Sequence, residues 1–161
     1  MREPEKSLEL VIAAIEKSRA VCRRIEEQYT SFFGAGEGFA HKDLQTAIVA
    51  SDLIVRWYTC LETAFLRISR FFENDLPKDR WHQELLEKMT LTLKDIREAV
   101  ISPEAHGRLL ELLKFRHFQR YYFEMDFDWE KLEFIKKKFL QATTLVNRDI
   151  GLFLEFLEKL R

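Results

Sequence analysis

The chain has little that would interrupt a helix. Its 161 residues include only 5 Gly and 3 Pro, too few for the turn-dense connectivity of an all-β domain. Cysteine is also scarce. Cys22 and Cys60 are the two present; they form no CxxC pair, which argues against a disulfide scaffold or zinc ribbon, and each falls in a helical pattern as a small buried hydrophobe of a cytoplasmic protein. Long apolar runs are missing. Leu10 to Ile15 is the longest, flanked by charges and far short of the roughly 20 residues that cross a bilayer; it is not placed like a signal peptide either. A dominant charge is absent too, since the formal net charge is −1. No global field draws the chain to nucleic acid or to a membrane, and any RNA binding must use a local patch.

Several chemistries lack their signatures. The four histidines, His41, His82, His106 and His117, include no HExxH pair, so no metal and no cofactor is expected. The GAGEG run from Gly34 to Gly38 has neither the Lys nor the Ser/Thr of a phosphate-binding loop and reads as a hinge between antiparallel helices. Ser and Cys nucleophile motifs are missing. Glu124, Asp126 and Asp128 read as caps rather than as an acid–base pair.

What remains is strong helical periodicity. Leu8, Val11, Ile12, Ile15, Cys22, Ile25, Tyr29 and Phe32 predict a first helix from near Pro4 to Phe33. Leu44, Ile48, Ile54, Trp57, Leu61, Phe65, Ile68 and Phe72 predict a second from about Asp43 to Phe72, closed by Asn74, Asp75 and Pro77. Trp81, Leu85, Met89, Ile96 and Val100 predict a third, with β-branched Thr90 and Thr92 in its middle. Ser102 and Pro103 suit the cap and first residue of a fourth, running to about Phe123. Asp126 and Asp128 offer caps for a fifth, from about Trp129 to Leu160. No convincing period-two alternation or internal repeat appears. The expected fold is all-α, an antiparallel four- to five-helix up-and-down bundle forming one domain over residues 1–161.

The stretch KFRHFQRYYFEMDFDWE, Lys114 to Glu130, interleaves basic and aromatic residues. At about 100° per residue, Leu109, Leu113, Arg116 and Arg120 fall in a sector of roughly 60°, with His117 beside it. Cations that continue an apolar stripe are expected at the wall of a cleft or in an interface. The plainer alternative is an Arg-rich helix end that gains about 0.3 to 1 kcal/mol from the macrodipole.

Phe115, Arg116, His117, Phe118 and Arg120, followed by Asp128, Trp129, Glu130, Lys131 and Leu132, resemble the HepT-like branch of the HEPN superfamily. The resemblance implies an all-helical protein, often a homodimer, that acts in a toxin–antitoxin pair beside a nucleotidyltransferase antitoxin. It implies metal-independent endoribonuclease activity through an Arg and a His four to six residues later, or RNA binding. The alternative is a non-catalytic partner or substrate-binding subunit of the nucleotidyltransferase. Carried over by position, the motif Arg is Arg116, but its His falls on Tyr121, and the Tyr that accepts nucleotides in some members falls on Phe123. The expected catalytic group is therefore Arg116, His117 and Tyr121, His117 lying one turn before Tyr121. Arg116 and Arg120 are the expected RNA-binding residues, and Tyr121 or Tyr122 the expected acceptor of a modification.

Overall fold

The computed structural model describes residues 3–74, 78–121 and 126–161. Regular structure among them is helical: α1 (Glu3–Phe33), α2 (Leu44–Glu73), α3 (Trp81–Lys88), α4 (Pro103–Tyr121) and α5 (Trp129–Glu158). An isolated bridge joins Leu93 to Arg97. No described helix is long and apolar enough to cross a membrane.

Cross-helix bonds fix the directions. Cys22 Sγ donates to Trp57 O and Cys60 Sγ to Ser18 O, so α1 and α2 run antiparallel. Ser102 pairs with Asp149, and Arg108 with Gln141, which makes α4 antiparallel to α5. Trp57 meets Phe139 and Phe72 meets Phe153, which sets α2 and α5 parallel. The four long helices therefore run up, down, up and down, with α3 inserted between the second and third.

The boundaries have local causes. Asp43 caps α2 by accepting from Thr46 N at 2.8 Å, and Asn74 closes it in the left-handed region at φ 48°. Gly34, at φ 73°, ends α1 with its N–H on Thr30 O, a position suited to a residue without Cβ. Ser102 Oγ accepts from Ala105 N at the start of α4, and Asp149 of α5 holds Ser102 through both its N–H and its hydroxyl. The α5 cap is Asp128, which accepts from Glu130 N and Lys131 N; Asp126, two residues earlier, is not the cap.

The third helix departs from expectation. It stops at Lys88, and residues 89–101 turn back instead of continuing to Val100. Thr90 Oγ1 bonds Glu87 O at 2.6 Å, the local competition with the helix ladder that such residues offer. Arg97 supplies the tertiary reason. Its side chain is fully buried, and its five N–H donors meet Glu73 Oε1 and Oε2 and the carbonyls of Lys88, Leu91 and Glu98.

The core combines aliphatic side chains with several large aromatic ones. Tyr29, Trp57, Phe65, Phe139 and Phe153 are buried, and Trp57 stands edge-on to Phe139 at 5.3 Å between centroids, a preferred geometry for such pairs. Glu26 enters this region, accepting from Trp57 Nε1 at 2.9 Å and Asn147 Nδ2 at 3.1 Å. Burial pushes its carboxyl above the usual range against those two bonds. Cys22 is buried and Cys60 half-buried. The two thiols meet between α1 and α2, a contact that raises Cys22 and lowers Cys60. Lys136 of α5, 2% exposed, donates to Phe33 O at 2.9 Å and Gly38 O at 2.6 Å. Burial pulls its ammonium below the usual range.

Candidate functional site

A cleft of about 850 Å³ opens between α2, α3, α4 and the start of α5. On α2 its wall is Ile48, Ser51, Asp52, Val55, Thr59 and Glu62, residues that fall within roughly 100° of the helix circumference. This face lies beside the apolar stripe and is more polar than it. Ser51 is 3% exposed, and its hydroxyl has no hydrogen-bond partner among the described residues, an unusual condition for a buried donor and acceptor.

At one end of the cleft five side chains converge. Arg116 of α4 forks onto Glu62, with Nη1 to Oε1 at 3.1 Å and Nη2 to Oε2 at 3.0 Å. Nη1 also reaches Thr59 Oγ1 at 3.2 Å. The guanidinium lies over the Tyr58 ring, 4.9 Å from its centroid. His82 of α3 completes the group: its Nδ1 is 2.8 Å from Glu62 Oε2 and 3.1 Å from Arg116 Nη2. Its ring rests on Trp81, with 3.9 Å between centroids. Glu62 is 7% exposed, Arg116 15% and His82 35%, so the carboxylate forms the floor and the imidazole the opening.

A carboxylate only accepts, so Glu62 Oε2 draws the proton of His82 onto Nδ1 and leaves the lone pair on Nε2. The bidentate fork holds the guanidinium plane in one orientation, while Arg116 Nε makes no hydrogen bond among the described residues. The result is a fixed cation beside a partly exposed imidazole, an arrangement suited to proton abstraction next to a developing anion.

The residues singled out from the sequence are divided by the fold. Arg116 and Arg120 both line the cleft, as a stripe of cations continuing buried Leu109 and Leu113 led one to expect. Arg116 is more constrained than that pattern implied, because Glu62 and Thr59 occupy much of its fork. Arg120 is exposed at the rim with Lys131, whose Nζ sits 4.0 Å from the centre of the Phe118 ring. His117 is exposed and is not among the described residues that line this cleft. Tyr121 is the last residue of α4. Tyr122, Phe123 and Glu124 lie outside the described residues. Glu62, His82 and Thr59 were not anticipated. The signal available for Glu62 was its place beside the apolar face of α2, three residues after Thr59.

No curated protein and no solved structure matches the chain. A family model described as HepT-like protein matches residues 49–157, about two thirds of the 161. That span runs from the first turns of α2 through most of α5 and contains Glu62, His82, Arg116 and Arg120, so the chain belongs to the HepT-like protein family.

Proposed function

We propose that the protein is the RNA-directed member of a toxin–antitoxin pair and cleaves single-stranded RNA without a metal ion, in the cleft between α2, α3 and α4. The observation that carries this reading is the Arg116 guanidinium, fixed by Glu62 and 3.1 Å from an imidazole nitrogen at the cleft mouth. RNA provides its own nucleophile. Removal of the 2′-hydroxyl proton lets O2′ attack the adjacent phosphorus, and a positioned cation stabilises the phosphorane as charge grows on its oxygens. Arg120 and Lys131 at the rim suit the flanking phosphates. Exposed Ile48 and Phe118, 41% and 38% accessible, border the same cleft and suit a homodimer contact; light scattering should give twice the chain mass at micromolar concentration.

A second reading has its own support. Among the described residues the cleft lining carries four carboxylates, Asp52, Glu62, Asp126 and Asp128, against three fixed cations, Arg116, Arg120 and Lys131, so these residues hold no excess of positive charge for a polyanion. Tyr121 also stands where the motif has its His. A non-catalytic partner or substrate-binding subunit of a neighbouring nucleotidyltransferase satisfies both facts. Purified protein incubated in EDTA with single-stranded RNA separates the readings. Fragments ending in 2′,3′-cyclic phosphate are the expected result. Intact RNA together with a stable complex with the neighbouring transferase would establish the second reading in its place.

A further inference from the structure

We propose that His82 is the general base of this cleft and that Glu62 is its positioning residue, an assignment that rests on the ribonuclease reading above. Position along the chain does not suggest it, since His82 lies 34 residues before Arg116. Proximity does. Among the described residues His82 is the histidine that touches Arg116. His117 is exposed and is not among the described residues of the cleft lining, and His106 Nε2 is buried with no hydrogen-bond partner among the described residues.

Three features equip His82 for the role. The carboxylate of Glu62, 2.8 Å from Nδ1, fixes the tautomer that leaves Nε2 as acceptor, which is what an orienting carboxylate does for a catalytic imidazole. Stacking on Trp81 at 3.9 Å limits rotation of the ring. Glu62 serves both partners at once, since Oε2 meets His82 Nδ1 and Arg116 Nη2. One buried carboxylate thus sets the base and the cation at a fixed separation.

The step balances without a co-reactant. Nε2 of His82 takes the 2′-hydroxyl proton, and O2′ bonds to phosphorus. The P–O5′ bond breaks, and O5′ leaves with a proton taken from water. The products are a 2′,3′-cyclic phosphate and a 5′-hydroxyl, and the imidazolium returns its proton to solvent. Arg116, held beside the imidazole by Glu62, stabilises the charge that grows on the phosphorane oxygens.

The test uses the full chain and a 5′-labelled oligouridylate in EDTA. His82→Ala should lower kcat by about 100-fold to 10,000-fold, the usual contribution of a general base, with KM changed less than threefold. Added imidazole should restore part of the lost rate, which repair of a merely structural defect would not do. His41→Ala, in the exposed loop before α2, should keep the wild-type rate. If His82→Ala does not fold, His82→Asn replaces it, because an amide can still donate to Glu62 but cannot take the proton. Wild-type cleavage that persists in the His82 variant, or that is lost in His117→Ala and retained in His82→Ala, would overturn the assignment and leave the ribonuclease reading intact. Wild-type protein that cleaves nothing would overturn both.

Discussion

Arg97→Ala should lower the free energy of unfolding by about 3 to 5 kcal/mol, the usual cost of removing one member of a buried ion pair. For a chain of this length that corresponds to a fall in melting temperature of roughly 6 to 20 °C. The magnitude follows from what the guanidinium holds. With Arg97 gone, Glu73, whose side chain is 12% exposed, loses its cation, and the carbonyls of Lys88, Leu91 and Glu98 lose a donor. Lys88 is the last residue of α3, so the change also loosens the helix that carries His82. Arg97→Lys should recover only part of the loss, because an ammonium cannot meet a carboxylate in a bidentate fork while also reaching three carbonyls. Urea unfolding followed by circular dichroism measures both variants. A loss below about 1 kcal/mol for Arg97→Ala would mean that residues 89–101 do not depend on this side chain.

Arg116→Ala should be comparably costly to stability and should also remove activity. Its partner Glu62 would remain at the floor of the cleft with no guanidinium, and leaving a buried charge uncompensated costs about 3 to 5 kcal/mol. Stability and chemistry can be separated by a double change. Glu62→Leu combined with Arg116→Met removes both charges and refills the volume with apolar atoms, an exchange that is often neutral or stabilising. The double variant should therefore melt close to wild type while cleaving no RNA. The single Arg116→Ala protein should melt well below it. A single variant as stable as wild type would show that the fork contributes little, and a double variant that still cleaves would place the chemistry elsewhere.

The difference between these two arginines also shows what the sequence could disclose. Arg116 was legible because it extends the apolar stripe of Leu109 and Leu113, a pattern local to one helix. Arg97 was not, because the five acceptors that justify burying it come from the end of α2 and the turns around it. They become neighbours only after residues 89–101 fold back. The same limit explains the third helix. The spacing of Trp81, Leu85, Met89, Ile96 and Val100 fits a helix, and the tertiary demand of Arg97 overrides it. Helix starts were easier, since Asp43, Ser102 and Asp128 act within three residues of themselves. In the candidate site, Arg116 and Arg120 could be placed from periodicity. His82 could not, because its contacts with Glu62 and Arg116 span 20 and 34 residues and no helical repeat encodes them.

The hold of Lys136 on the loop after α1 bears on the order in which the chain can fold. Phe33 and Gly38 precede Lys136 by 103 and 98 residues, and contacts so distant must wait for the intervening chain to be made and closed. At about 5 to 20 residues per second on the ribosome, roughly 5 to 20 seconds pass between synthesis of that loop and synthesis of the lysine that fastens it. During that interval α1 and α2 can pair through Cys22, Trp57, Ser18 and Cys60, but the two carbonyls at their junction have only water as a donor. The N-terminal hairpin is thus made early and locked last, by the helix that ends the bundle.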